Sequence, residues 1–395
     1  MGVSLETARQ PVYQELRAAR GELMEAHARI SRVQAEWDAR YHDYDTSGQG
    51  HTRFYPSGLP AKKALLPLSK YGTDDKLLQH AQRRYSSVIH HTDWHKHLIV
   101  LGEIKDGNAL REMVRFVSVS QPHAGAWLNA VPKYKPFRVP TWAFRLMGAR
   151  RLGLPLLAAA AAGAGRRSRH GMCFDVMGDV AANDGTDGHA TRHFLINSAI
   201  YRALRRAYGG QAKYEPQDYI GYSDHRPDIT LLLDGALKAF DVKIFDPIGS
   251  RLEKLDPRGA FVAFGNTAER ADDVVLGRPG RGAPGDGAFD RRTGAGYVAA
   301  KKGDYARALD KGVECAPLLV ETFGGFGAGL VDALEKAAAW RQNKLTSSEF
   351  DETTWAARKW LPFVVQQISV ATQLAMAQEI AEALGLSVAA DPRAT

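Results

Sequence analysis

The sequence predicts an α/β protein: an αβββαβ core around a mixed sheet, with helical extensions at both ends. Three observations carry that expectation. Over residues 189–208, Phe194, Ile196, Ile200 and Leu204 recur near helical spacing, and the run stops at Gly209-Gly210. Residues 229–244 hold two strand-forming runs split by Asp234-Gly235, the strongest short-range signal for a two-residue hairpin turn. Ala316–Phe323 is a buried-strand run, with a helix expected before it over 296–310 and another after it from Ala328 to Asn343.

Taken in order, residues 1–45 read as one amphipathic helix. Val12, Leu16, Ala19, Leu23, Ala26, Ile30, Val33 and Trp37 follow an a/d heptad pattern. Four heptads are enough for a coiled coil, hence a homodimer through residues 5–40. A helix packed on its own globular domain accounts for the same pattern, and Gly21 weakens the seam. Residues 46–109 read as a turn-rich linker and then a helix over Asp74–Leu101. There His91 and His95, at i and i+4 with Asp93 near, have the spacing to share a metal. No third ligand follows at matching spacing and Lys96 interrupts the cluster, so a basic solvated face is the expectation.

Residues 110–185 form a basic helical region. Arg138 to His170 carries seven arginines and no acid, with Trp142 and Phe144 interleaved, a composition that grips phosphate. Arg150, Arg151, Arg166, Arg167 and Arg169 are its candidate nucleic-acid contacts, against a plain solvated helix face. Residues 186–330 are the core. Its first strand, Lys213–Ile220, carries Glu215, a candidate third carboxylate or simply a charge at a strand edge before proline.

The hairpin brings the chemistry. With Asp234-Gly235 as the whole loop, Leu233 faces Ala236 and Asp228 falls opposite Asp241. Alternation puts Lys243 on the face of Asp241 and turns Phe240 and Val242 into the core. Two carboxylates that close repel, and one stays protonated unless a cation neutralises them. Mg²⁺ or Mn²⁺ suits oxygen donors and holds water able to attack a phosphodiester, and a lysine beside it can orient that water or offset phosphate charge. A surface hairpin with an Asp241–Lys243 salt bridge is the plain alternative.

Pro227-Asp228, a spacer, and Asp241-Val242-Lys243 resemble the PD-(D/E)xK signature of restriction-endonuclease-like nucleases. Residues 110–128 and 144–155 are similar to the segment that follows the polymerase in reverse transcriptases of non-LTR retrotransposons, where it leads through a zinc knuckle into the nuclease. The resemblance covers about residues 110–330. It implies a metal-dependent DNA endonuclease derived from a retrotransposon, with Asp228, Asp241, the Val242 carbonyl and Glu215 holding Mg²⁺ and Lys243 assisting the water. Arg192-His193 matches the family pair that opens a helix, Glu215-Pro216 matches its strand, and Lys301, Lys302 and Tyr305 resemble a K-x-x-K-Y pattern facing the phosphate backbone. Of the knuckle only Cys173 has a match, and one thiol cannot hold tetrahedral zinc, so no zinc is expected. A chain that kept the fold and nucleic-acid binding but not turnover is the alternative.

Residues 246–295 read as a Gly/Pro/Asp/Arg-rich insertion, of a length that is functional or disordered, with Phe261–Phe264 and Val274–Leu276 as its only strand-like pieces and Gly277–Gly285 as a flexible linker. Residues 331–395 read as C-terminal helices, with a kink at Pro362. The net charge of +8 suits a polyanionic partner such as DNA. Two cysteines exclude a disulfide framework, and no run of 18 apolar residues exists to span a membrane. No signal-peptide pattern opens the chain, so an intracellular protein is expected, nuclear if the source retrotransposon is eukaryotic.

Overall fold

The computed structural model describes residues 97–98, 100–104, 106–156, 165–184, 188–217, 225–233, 235–249, 263–287, 295–353 and 356–386, with single positions elsewhere. The chain divides into two units, Ile104–Phe289 with Ala295–Thr395, and Met1–Glu103 with Asp290–Gly294. In the second unit the expected helix over 5–40 lies outside the described residues except at Gly21, Glu25 and Ala28, which are helical. His91, Asp93 and His95 lie outside them too.

The first unit is a mixed α/β body. Helix α1 (Gly107–Val119) starts where the Asp106 carboxylate accepts the Ala109 N–H at 2.6 Å, an N-cap. Helix α2 (Thr141–Leu152) stops at Gly153, whose φ of 68° suits glycine. Helix α3 (Gly188–Tyr208) leads into strands β1 (Ala212–Tyr214), β2 (Ile229–Leu233) and β3 (Ala236–Phe245). Then come helix α4 (Ala263–Val275), the short pair β4 (Gly277–Arg278) and β5 (Lys301–Lys302), and helix α5 (Ala306–Asp310). Strand β6 (Glu314–Glu321) and helices α6 (Ala328–Trp340), α7 (Ser347–Thr353) and α8 (Trp360–Ala383) complete it.

The main sheet has the order β1-β2-β3-β6, antiparallel except for the parallel β3/β6 pair. Leu233 pairs with Ala236 and Ile229 with Phe240, the register a two-residue turn dictates, with Gly235 at φ 78°. On one face Ile229, Leu231, Phe240, Val242, Leu318 and Val320 pack against α3, α6 and α8. On the other, Ala239 and Cys315 pack with Val275, Tyr305 and Ala308. Among the described residues no helix is long and apolar enough to cross a membrane.

Three expectations are corrected. The stretch 246–295 is not only linker: it holds α4, the crossover that a parallel β3/β6 pair requires. Phe264, Thr267, Ala271 and Val275 turn one buried face to the sheet, and the Thr267 hydroxyl bonds Glu321 at 2.9 Å. The helix expected over 296–310 shrinks to α5, because Lys301 and Lys302 pair with β4 as strand. Pro362 makes no kink; it is the third residue of α8, where a missing N–H breaks no helical bond. Nor is α8 an appendage. It is buried almost all round, placing Trp360, Phe363 and Ile368 in the core beneath the sheet and Met376, Ala377 and Ile380 against Trp127, Met147 and Ala181.

Candidate active site

Pro227-Asp228 stands just before β2, and the ladder continues through it: the Glu215 N–H donates to the Asp228 carbonyl at 2.8 Å. With Ile229 opposite Phe240, Asp228 falls opposite Asp241. One oxygen of the Asp228 carboxylate accepts the Val242 N–H at 2.7 Å, the other the Asn197 side-chain amide at 3.3 Å. Helix α3 delivers Asn197 from the same face as His193, four residues earlier. His193 Nε2 lies 3.3 Å from Asp228 Oδ2. On the facing strand Lys243 Nζ lies 2.7 Å from Asp241 Oδ2 and 3.9 Å from Asp304 Oδ2.

The two aspartates lie close enough for each to act on the ionisation of the other. Burial, helped by Asp228, overrides Lys243 and pushes Asp241 up to about 6. For Asp228 burial acts upward as well, but the bonds from His193 and the Val242 N–H outweigh it and hold the carboxyl below its ordinary range. His193 is raised by its hydrogen bond to Asp228, against burial. The cluster is only partly covered: side-chain exposure is 14% at Asp228, 11% at Asp241, 23% at Lys243 and 38% at His193. It is a charged nook at the sheet surface that small molecules can reach.

A hard divalent cation fits this donor set in one respect. Asp228 and Asp241 converge on one place beside the Val242 backbone, and the His193 imidazole already faces Asp228. Glu215 does not complete the set. It sits at φ 39°, off strand geometry, and its carboxylate takes the Arg226 guanidinium at 2.9 Å. Among the described residues no three His, Cys, Asp or Glu side chains form a metal-binding group.

Several arginines read as phosphate contacts serve the interior instead. Arg150 is fully buried, bonds Asp246 at 2.6 Å and stacks 4.3 Å from the Phe323 ring centre. Arg151 donates to the carbonyls of Ala124 and Val119. Arg192 is buried on Glu379 at 2.6 Å. Tyr305 is buried, its hydroxyl donating to the Arg226 carbonyl, so it faces no phosphate. Exposed positions remain at Arg166, which donates to the Leu384 carbonyl, at Arg167, which donates to Gly171 O, and at Arg169, Lys301 and Lys302. Cys173 is exposed beside Arg167 in an isolated bridge.

Two members of the nook went unread. Asn197 had a signal, its i+4 spacing from His193 on a helix whose next turns are apolar. Asp304 lies among Lys301, Lys302 and Tyr305 but belongs to no motif. In comparison with known proteins, no family model, no curated protein and no solved structure matches the chain.

Proposed function

We propose that the chain is a Mg²⁺- or Mn²⁺-dependent endonuclease that nicks DNA, as the restriction-endonuclease-like domains it resembles imply. The observation that carries the reading is the pairing of Asp228 with Asp241 across the hairpin, with the Lys243 ammonium 2.7 Å from Asp241 on a partly open face. The helix, three strands, helix and strand that frame the pair support it. Asp228, Asp241 and the Val242 carbonyl would hold the cation. Bound there, such an ion lowers the pKa of water and offsets charge on a phosphodiester. Lys243 orients the incoming water or neutralises the phosphate oxygens. His193, itself on Asp228, gives up that contact and faces the DNA strand instead. Lys301 and Lys302 grip the backbone as exposed point charges.

The test is plasmid nicking by the full chain in Mg²⁺ against EDTA, with Asp241→Asn beside the wild type. Wild type cuts only with metal. Asp241→Asn loses at least about a hundredfold in rate and keeps its DNA affinity. A non-catalytic nucleic-acid-binding protein is the second reading, favoured because Asp228 is already occupied by the Val242 N–H and Asn197 and, among the described residues, no three His, Cys, Asp or Glu side chains form a metal-binding group. Salt-sensitive DNA binding without cutting, in either metal, selects it.

A further inference from the structure

Among the described residues Lys243 has two acids within ion-pair distance, Asp241 at 2.7 Å and Asp304 at 3.9 Å. The two differ in what a divalent cation does to them. Asp241 would be a ligand, and the oxygen that now holds Lys243 is one such an ion would claim. A lysine is a point charge on a flexible four-carbon stem. Left without its near partner, it swings toward solvent unless something else draws it.

We propose that Asp304 is a positioning residue that keeps the Lys243 ammonium in the site when a divalent cation takes Asp241; this rests on the nuclease reading. The turn carrying Asp304 is held from several sides. Its N–H donates to the Val274 carbonyl at 2.8 Å, and the Tyr305 N–H donates to Val275 at 3.2 Å, fixing the turn to the end of α4. The Tyr305 hydroxyl donates to the Arg226 carbonyl at 3.1 Å, fixing it to the segment that delivers Asp228. Gly303 lies so close to the α4 end that a Cβ there would come within 2.4 Å of Gly277 N and Val275 O. Residues distant in sequence are thus stitched into one rim. On that rim Asp304 stands between Lys243 and His225, whose Nε2 is 4.0 Å from Oδ1. With a third of its side chain exposed it is covered enough to hold a charge, and the ammonium needs only a small shift to reach it.

The experiment follows Lys243 itself by amine acylation of the full chain and mass spectrometry, with and without Mg²⁺, in wild type and Asp304→Asn. Without metal, Asp241 holds the ammonium in both proteins and labelling agrees within about twofold. With Mg²⁺, Lys243 of Asp304→Asn is labelled about two- to fivefold faster than wild type, the range of a part-exposed ion pair. Nicking by Asp304→Asn falls in kcat by roughly tenfold with KM for DNA held, and Asp304→Glu restores most of it. Mg²⁺ that binds wild type by calorimetry while Lys243 labelling ignores residue 304 overturns this inference alone. A wild-type chain that neither binds Mg²⁺ nor nicks overturns the nuclease reading and this inference together.

Discussion

Strand β3 carries two acids with opposite circumstances, Asp241 at mid-strand and Asp246 just past its end. Around Asp246 every charge is interior: its side chain is 2% exposed, Arg150 is 0% exposed, and the two bond at 2.6 Å. Asp179 joins through Arg150 and Arg111, and the buried Glu321 lies nearby on Thr267. Around Asp241 the acids face one another, and their partners, the Lys243 ammonium and the His193 imidazole, stand at the solvent edge. Buried carboxylates therefore do not by themselves mark a site. Asp246 is satisfied by a guanidinium that nothing outside can displace, whereas Asp228 and Asp241 repel each other beside cations that an incoming ligand can replace.

The largest effect expected from this contrast is at Arg150. Replacing it with Met keeps much of the side-chain volume but leaves Asp246 buried without its partner, beside Asp179. Loss of one member of such a pair costs about 3–5 kcal/mol. Urea unfolding of Arg150→Met reads it as a large drop in midpoint. Wild-type stability in this variant would show that the interior charges are not mutually dependent, and the contrast with the site would lose its basis.

How much of this was legible depends on the distance over which each partner lies. The hairpin register needed only Asp234-Gly235 and two apolar runs, so Asp228 opposite Asp241 and Lys243 beside it could be read locally. Helices α3 and α6 and strand β6 were legible from periodicity for the same reason. The arginines were not. Arg111, Arg150 and Arg192 find their acids 68, 96 and 187 positions away, and an arginine that will be buried on a distant acid looks in sequence like one that will meet phosphate. Glu215 matched its motif, yet its left-handed backbone and Arg226 commit it elsewhere. Helix α4 hid behind glycine- and proline-rich flanks, although its buried Phe264, Thr267, Ala271 and Val275 keep helical spacing.

Glu321 sharpens the comparison through pH. Burial pushes its carboxyl up to about 8, against the bond from Thr267. A folded pKa above the ordinary 4.5 means the protonated acid is the form the fold accepts. That contribution to stability is complete below about pH 4.5 and is lost as pH rises through about 8. Wild type is accordingly expected to lose about 2–4 kcal/mol between pH 5 and pH 8.5. Glu321→Gln, which stays neutral, has a flatter profile over that window. Urea midpoints at the two pH values compare the slopes, and equal slopes would place a compensating cation on Glu321.

The smallest effect is the most discriminating, because its sign is opposite to that of Arg150→Met. Asp241 has its folded pKa raised to about 6 by burial and by Asp228, so its ionised form weakens the fold. The associated stability is present below about pH 3.8 and is lost as pH rises through about 6. At pH 7.5 in EDTA, Asp241→Asn is therefore expected to unfold later than wild type, by about 1–2 kcal/mol, a gap that closes toward pH 4. Mg²⁺ should stabilise wild type but not the variant, because only wild type has the second carboxylate to offer it. A residue whose removal strengthens the fold while abolishing cutting is held in place by function rather than by packing. If Asp241→Asn instead weakens the protein at pH 7.5 as Arg150→Met does, Asp241 belongs with Asp246 as an internal brace, and the nook at the hairpin is not a site.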